Sequence, residues 1–252
     1  MPHNGETGAR GVSQLQKRWM VVILAVSIVC LTFSLGVRQS VLSVDAPTQL
    51  PQQKLIALTF DDGPRRSTTT RLLDGLAERG VKATFFLIGR QIADNEDVVE
   101  RMDREGHQIG IHTFDHVQLT DLNQTDFDAQ VESTRTLLKN LLGHNDFLLR
   151  PPYGKWDEGV KKRAGCPIIL WSIDPEDWDD KNTDRVVNMV VNQARDGGII
   201  LLHDIYPESV DAALQIVDKL HAQGYYFCTI DQLFAARGLS LDPGEVYWNA
   251  YP

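Results

Sequence analysis

Lys54-Leu-Ile-Ala-Leu-Thr-Phe-Asp-Asp-Gly-Pro64 is an apolar run that ends on two adjacent carboxylates and a Gly-Pro pair. An apolar run of this length is typical of a buried β-strand, and a Gly-Pro pair ends regular structure. The pattern therefore predicts a strand that carries Asp61 and Asp62 at its carboxyl end. A polar turn leaving the core would have the same pattern, so the meaning of the two acids depends on the later strands.

Strand-like and helical segments alternate along the rest of the chain. Alternation of this kind predicts an α/β fold with a parallel sheet, either open or closed into a barrel, with both faces of the sheet covered. The strand-like runs span residues 55–60, 83–89, 108–113, 147–151, 167–173, 198–203 and 225–230. The amphipathic helical windows span residues 68–78, 94–104, 125–142, 158–164, 184–195 and 209–222.

An uncharged apolar segment, residues 19–37, lies near the N-terminus. Its length matches the hydrocarbon thickness of a bilayer at helical rise, and the basic pair Lys17-Arg18 favours a cytoplasmic N-terminus. The segment therefore predicts a single-pass signal-anchor, with residues 1–18 as a cytoplasmic tail and the chain after Arg38 outside the membrane. The alternative is a cleaved signal peptide and a secreted protein, although no convincing cleavage site follows the segment.

The remaining chain divides into three parts. Residues 38–53 are polar and contain proline, which predicts a linker. Residues 54–240 hold the alternating pattern of one α/β domain. Residues 241–252 are interpreted as a C-terminal tail that packs its aromatic side chains on that domain. Two cysteines of the predicted α/β domain, Cys166 and Cys228, border or occupy predicted strands, and their spacing does not decide between a disulfide and free thiols.

The charge of the chain is uneven. The chain holds 25 basic and 34 acidic residues, and residues 39–252 carry 21 and 33 of them. An acidic excess of this size argues against nucleic acid or another polyanion as a partner. The composition fits a neutral substrate better, and it does not predict an oligomeric state.

Ionisable side chains follow five of the predicted strands. Because ligands bind at the carboxyl ends of the strands in parallel α/β folds, these side chains predict one functional site. The clusters are Asp61 and Asp62, residues 112–116, residues 150–154, residues 174–178, and His203 with Asp204.

His112 and His116 are four residues apart. One helical turn would place both imidazoles on the same face. Two histidines and one carboxylate are a common ligand set for a hydrolytic Zn²⁺ or a related divalent ion with an open position for water. Together with the strand-end acids, the pair predicts a metal site.

Three other histidines are interpreted as solvated: His107, His144 and His221.

Five motifs occur in order along the chain, and any one of them alone would be weak evidence. In this order they resemble the five motifs of the polysaccharide deacetylase family, also called the NodB homology family and carbohydrate esterase family 4. The resemblance covers residues 54–239. The motifs are Thr59-Phe-Asp-Asp-Gly-Pro64, His112-Thr-Phe-Asp-His116, Arg150-Pro-Pro-Tyr-Gly154, Trp171-Ser-Ile-Asp-Pro-Glu-Asp-Trp178 and Ile200-Leu-Leu-His-Asp204.

The resemblance implies a distorted (β/α)₇ barrel that binds a divalent metal, usually Zn²⁺, with Co²⁺ or another divalent ion sometimes serving. It implies that Asp62, His112 and His116 bind the metal. It also implies that Asp61 is the general base and that His203 is the general acid in the hydrolysis of an N-acetyl group.

Further residues have supporting roles by the same resemblance. Arg150 would orient Asp61, and Asp177 would raise the pKa of His203. The backbone N–H of Tyr153 would stabilise the oxyanion. An apolar cup for the acetyl methyl group is implied for Tyr153, Trp178 and Leu201. Core packing is an equal alternative for Leu201.

An anchored, acidic chain with these motifs most resembles the membrane-anchored bacterial peptidoglycan N-acetylglucosamine deacetylases. The implied substrate is a cell-wall polysaccharide. N-acetylmuramic acid deacetylases, chitin or chito-oligosaccharide deacetylases and xylan acetyl esterases share the core motifs and remain alternatives. The alternative from another class is an inactive carbohydrate-binding or wall-tethering module, which would be expected to lack Asp61 or His203.

Overall fold

The computed structural model describes residues 53–252. The predicted cytoplasmic tail, the predicted anchor at residues 19–37 and nearly all of the linker lie outside the described residues. Within residues 53–252, no helix has both the length and the apolar character needed to cross a membrane.

One parallel sheet organises the described part of the chain. Its strands are β1 (Lys54–Asp61), β2 (Thr84–Leu87), β3 (Gln108–Ile111), β4 (Leu148–Leu149), β5 (Ile168–Ile169), β6 (Gly198–His203), β7 (Tyr225–Cys228) and β8 (Val246–Tyr247). They lie in the order β6-β1-β2-β3-β4-β5-β8, and β7 pairs with the first half of β1. Strand β1 therefore touches three neighbours and lies at the centre of the fold.

Helices connect the strands, and most of them cover the outer face of the sheet, whereas the last one packs Ile230, Leu233 and Phe234 on the inner layer. The helices are α1 (Arg66–Glu78), α2 (Gly89–Ile92), α3 (Glu96–Arg104), α4 (Gln124–Leu142), α5 (Glu158–Arg163), α6 (Thr183–Gln193), α7 (Pro207–Ala222) and α8 (Ile230–Ala236). Several begin at a side-chain cap that satisfies a free backbone N–H. The Asn123 side chain, for example, accepts a hydrogen bond from Asp126 N at the start of α4.

The sheet curves into a half-barrel. Ile173, beyond the end of β5, forms a parallel bridge to Ile200 in β6, and Leu201 N donates to the Ile173 carbonyl at 2.9 Å. Because β6 lies at the other end of the strand order, this bridge brings the two ends of the sheet together. The arrangement is consistent with the predicted distorted barrel.

Alternation along the strands divides the core into two layers. Ile56, Leu58 and Phe60 belong to the layer beneath the helices, whereas Ala57 belongs to the layer inside the half-barrel. Successive strand residues point to opposite faces. Asp61 therefore shares the inner face with Ala57, and it emerges at the inner rim of the sheet.

The predicted strands and helices are confirmed, with differences at their ends. The short helix α2 precedes the window at residues 94–104, in which α3 begins at Glu96, and the seventh strand ends at Cys228 because α8 follows. The C-terminal tail packs on the domain as predicted, but it also adds β8, which pairs with β5. The two-residue strands β4 and β5 lie inside longer predicted apolar runs, whereas Glu245 and Asn249 closely bound the residues of β8, so the sequence did not predict β8. Cys166 and Cys228 are both buried free thiols.

Candidate active site

A cavity of about 440 Å³ opens at the carboxyl ends of the strands. Eight of the ten residues that the sequence assigned to the site line it, and Arg150 and Asp177 lie fully buried behind it. Trp171 and Asp174 also line the cavity. The sequence placed Asp174 in one of the clusters of the site with a supporting role only, and it assigned no role to Trp171. Trp171 lies two residues beyond Ile169, so period-two alternation on β5 could have identified it.

Asp62, His112 and His116 converge on one point. Asp62 Oδ1 lies 3.5 Å from His112 Nε2 and 3.3 Å from His116 Nε2. One ligand atom from each residue lies within 4.8 Å of the other two. Asp62 Oδ1 is buried and has no hydrogen-bond partner, which is costly for a carboxylate oxygen unless a cation compensates it. The three side chains therefore fit a divalent metal ion.

The neighbouring groups prepare both imidazoles for ligation. His112 Nδ1 lies 2.7 Å from the Arg150 carbonyl, which can only accept, so Nδ1 carries the proton and Nε2 keeps its lone pair for a metal. Burial and the neighbouring His112 lower the pKa of His116 and favour its unprotonated form. A donor set of one carboxylate and two neutral imidazoles is typical of Zn²⁺ and Co²⁺ sites.

The predicted helical turn between the two histidines is wrong. His112 directly follows β3, and His116 lies in the loop after it with a φ of 59°. Asp62 and Thr113 also have positive φ, at 71° and 64°. A non-glycine residue in this region costs about 1–2 kcal/mol, so the site is assembled from strained loop residues that the surrounding core must hold.

Asp61 is held by a fully buried arginine. Arg150 Nη1 donates to Asp61 Oδ1 at 2.8 Å and to Thr59 Oγ1 at 2.8 Å. Its Nε and Nη2 donate to the carbonyls of Ile169 and Leu170 at 3.1 and 2.9 Å. Asp61 Oδ2 remains on the cavity side, 3.7 Å from His112 Nε2. The ion pair orients the carboxylate and leaves one oxygen available.

His203 lies opposite Asp61, since the two residues are register partners in β6 and β1. Its Nδ1–H donates to Asp177 Oδ1 at 2.8 Å, and its backbone N–H donates to Asp177 Oδ2 at 2.8 Å. Burial by itself would lower the pKa of His203. The hydrogen bond and charge of Asp177, with the charges of Asp61 and Asp62, outweigh it and raise the pKa to about 9. A pKa of about 9 favours the imidazolium form of His203 at neutral pH.

Aromatic side chains surround the mouth of the cavity. Tyr153 and Trp178 are 63% and 49% exposed, whereas Leu201 is buried at the cavity wall. The Tyr153 ring meets the His116 ring edge-on with 4.9 Å between the centroids, and its φ of 61° turns the chain at this point. Large exposed aromatic surface beside a cavity is typical of a binding site.

His107 does not lie in solvent. It is buried, its Nδ1 accepts a hydrogen bond from Ala83 N at 3.1 Å, and burial lowers its pKa to about 4. The interpretation of His107 as solvated is therefore wrong. The physical reason is that the residue precedes β3 at the base of the sheet, a contact that helix-end context alone does not reveal.

Comparison with known proteins identifies the family. Residues 49–166 match the polysaccharide deacetylase family. A peptidoglycan-N-acetylglucosamine deacetylase of Bacillus cereus is 35% identical over 189 residues, covering 72% of this chain and 88% of that protein. The chain belongs to the polysaccharide deacetylase family. The five-motif resemblance is thereby confirmed.

Two longer deacetylases are more similar in sequence. The peptidoglycan-N-acetylmuramic acid deacetylase PdaC of Bacillus subtilis is 42% identical over 183 residues, which cover 73% of this chain and 39% of PdaC. The peptidoglycan-N-acetylglucosamine deacetylase PgdA of Listeria monocytogenes is 41% identical over 196 residues, which cover 78% of this chain and 41% of PgdA. The match thus spans about two fifths of these two relatives.

Solved structures share the fold of this deacetylase domain. A T48 deacetylase solved with substrate is 40% identical, with a TM-score of 0.74, over 77% of this chain and 96% of that one. A family 4 acetyl xylan esterase from Clostridium thermocellum, solved with a cobalt ion, is 30% identical, with a TM-score of 0.74. The match covers 78% of this chain and 99% of the esterase chain.

Asp177→Asn should lower the pKa of His203 from about 9 to its ordinary value of 6.5 or below, because the variant loses the charge that offsets burial. Because the pKa of His203 is higher in the folded than in the unfolded state, protonated His203 stabilises the fold. This contribution to the free energy of unfolding is fully present below pH 6.5 and is lost as the pH rises through about 9. This pH dependence of unfolding should disappear in the variant. NMR titration of the His203 ring in chelator-treated protein measures the pKa directly.

Asp174→Asn is the matched control, because Asp174 lines the same cavity but accepts its hydrogen bond from Glu176 N. Asp174→Asn should leave the pKa of His203 well above its ordinary value. An Asp177→Asn variant whose His203 still titrates near the wild-type value would contradict the assigned cause.

Proposed function

We propose that this chain is a metal-dependent hydrolase that removes N-acetyl groups from a cell-wall polysaccharide, with the N-acetylglucosamine units of peptidoglycan as substrate. One observation carries the proposal. A carboxylate with a free oxygen, Asp61, and an imidazole hydrogen-bonded to a buried carboxylate, His203, face the same cavity from register-paired positions beside a candidate metal site. The similarity to peptidoglycan deacetylases supports the choice of substrate.

The metal ligands in this proposal are Asp62, His112 and His116, and Zn²⁺ is the proposed ion, with Co²⁺ as an alternative. When bound, the ion polarises the amide carbonyl and lowers the pKa of a bound water. The contribution of the chain is to hold the three ligand atoms together before the ion arrives. The Arg150 carbonyl helps, because it determines which His112 nitrogen is free.

Asp61 is proposed as the general base. Arg150 occupies one carboxylate oxygen, so the other oxygen faces the cavity and takes the proton of the attacking water. As the water oxygen bonds to the carbonyl carbon, the guanidinium compensates the charge of Asp61 and prevents the carboxylate from rotating. Arg150 acts here as a positioning residue, since it is fully buried and does not line the cavity.

His203 is proposed as the general acid. The C–N bond can break only if the amine leaves with a proton, and an imidazolium in the cavity wall supplies it. Asp177 binds Nδ1 and leaves Nε2 to donate. The raised pKa keeps this proton on His203 at neutral pH until the leaving nitrogen becomes more basic. The products are acetate and a free amine on the glycan.

The remaining residues of the cavity are proposed to bind the acetamide and its sugar. Leu201 is buried in the wall, which suits the acetyl methyl group, and exposed Tyr153 and Trp178 offer ring faces at the mouth. The backbone N–H of Tyr153 is proposed to stabilise the oxyanion. A binding module without chemistry would have no need of buried Arg150 and Asp177, each of which supports a proton-transfer group.

The full chain is expected to release amines from peptidoglycan. Activity should fall on chelation and return on addition of Zn²⁺, because the proposed ligand set is incomplete without a cation. Parallel assays on N-acetylglucosamine oligomers and acetylated xylan separate the alternatives from the principal proposal. Turnover of the oligomers without release from peptidoglycan would contradict the proposed substrate, and no turnover of any of them would favour the binding module.

His203→Ala and His112→Ala should fail differently. The first should retain bound metal and lose about 10²–10⁴-fold in kcat, because only the proton donor is gone. The second should lose both metal and activity. Metal content per chain and single-substrate kinetics measure the two effects. His144→Ala, which alters a histidine paired with Asp103 and Asp146 outside the cavity, is the control. Substantial activity in either test variant would refute the assigned roles.

Residues 19–37 are proposed to anchor the enzyme in the cell membrane, with the catalytic domain on the extracellular side. The support is the uncharged nineteen-residue segment and the basic pair before it. The full chain should fractionate with membranes and resist extraction by high salt, whereas a chain that begins at residue 39 should not. Recovery of a shortened, soluble form of the full chain would instead establish the cleaved signal peptide.

A further inference from the structure

A second cleft, of about 350 Å³, adjoins the active-site cavity. The two share Asp62 and His116, so the cleft begins at the candidate metal site and leads away from it. Arg65 and Arg90 line this cleft, and neither lines the catalytic cavity. The reaction proposed above uses neither arginine.

The fold brings the two arginines to the same side of the metal site. Arg65 lies in the loop that follows β1, and Arg90 lies in α2, directly after β2. Because β1 and β2 are neighbours in the sheet, the two loops leave it side by side. Ile88 N donates to the Gly63 carbonyl at 2.9 Å and ties one loop to the other.

Neither guanidinium is neutralised within residues 53–252. Arg65 Nη1 donates to the Ile205 carbonyl at 3.0 Å, which orients the side chain without compensating its charge. By contrast, the next two arginines of the chain are paired, Arg66 with Asp97 and Arg71 with Asp211. In a chain with a net charge of −9, two cations that share a cleft and form no ion pair within residues 53–252 are unusual, and the one acid that lines the cleft, Asp62, lies at the candidate metal site. Their chemistry is that of an oxyanion-binding site.

We propose that Arg65 and Arg90 bind a carboxylate carried by the sugar unit next to the one being deacetylated. The proposal rests on the proposed function, because a glycan whose acetamide occupies the catalytic cavity can continue along the cleft that starts at Asp62 and His116. The substrate class is an acidic amino-sugar glycan. Its carboxylate comes from the lactyl group of a muramic acid unit or from a peptide attached to that group.

This assignment differs from the expectation drawn from composition. The overall acidic charge of the chain favours a neutral substrate, but recognition depends on the local potential inside a cleft rather than on net charge. Two guanidinium groups give the substrate cleft a basic end. The cleft therefore favours a carboxylate-bearing wall glycan over neutral chitin oligomers at the same catalytic centre.

The test compares the full wild-type chain with the double variant Arg65→Gln/Arg90→Gln on three substrates. They are glycan strands freed of peptide, which expose the lactyl carboxylate, strands that retain the peptide, and neutral N-acetylglucosamine oligomers. The ratio of kcat/KM between acidic and neutral substrates should fall roughly three- to tenfold in the variant, the range expected for two partly solvated ion pairs. The loss of kcat/KM on the acidic substrates should appear as a higher KM.

The two acidic substrates distinguish the sources of the carboxylate. A fall confined to peptide-free strands assigns the arginines to the lactyl group, and a fall confined to peptide-bearing strands assigns them to the peptide. Added salt should narrow the wild-type preference for acidic glycans and have little effect on the variant. Arg104→Gln is the control, because this exposed arginine in the last turn of α3 lines neither cavity and should keep the wild-type ratio.

An unaltered ratio in the double variant would overturn the proposal, as would an equal loss on acidic and neutral substrates. Equilibrium binding of the same glycans in a His203→Ala background separates this proposal from the proposed function. If the parent chain hydrolyses no glycan, the proposed function fails. The arginine proposal then stands if the double variant still loses preference for the acidic glycan in binding, and falls if it does not.

Discussion

The buried guanidinium of Arg150 connects more of this structure than any other interaction described above. It donates to Asp61 and Thr59 in β1 and to two carbonyls at the end of β5. The backbone carbonyl of Arg150 accepts a hydrogen bond from His112 Nδ1 at the end of β3. Three strands therefore converge on one residue that follows β4. Removing one partner of such a pair leaves an uncompensated buried charge, at a cost of about 3–5 kcal/mol.

The two proposed proton-transfer groups are built on the same physical scheme. Asp61 is backed by a fully buried cation, Arg150, and His203 by a fully buried anion, Asp177. Each partner satisfies one side of the reacting group and leaves the other side to the cavity. Preorganised charges of this kind avoid reorganisation during the reaction. Asp62 Oδ1, by contrast, is buried and has no hydrogen-bond partner, as expected for a metal ligand.

The loops that carry the metal ligands contrast with the rigid strands beneath them. Asp62, Thr113, His116 and Tyr153 all adopt positive φ, and the apolar layers of the half-barrel must compensate the cost. Backbone hydrogen bonds tie these loops together. Gly89 N and Arg90 N donate to the carbonyls of Thr113 and Phe114, at 2.9 and 3.1 Å. The same link places Arg90 beside His116, so the loop that supports the metal site also shapes the neighbouring cleft.

The amino-acid sequence by itself determined the strands, the helices and the acids at the end of β1, because period-two and period-3.6 patterns are local properties of the chain. Through five motifs in order, it also predicted a set of site residues, which the structure brings together at one cavity. Only the tertiary structure decided how His112 and His116 meet, since they converge through left-handed loop residues and not through a helix. The burial of His107, the strand β8 and, within residues 53–252, the absence of an ion pair at Arg65 and Arg90 likewise depend on how distant segments are arranged. Such arrangements leave no local pattern, which is why the sequence predicted the chemistry of the site and the fold determined its shape.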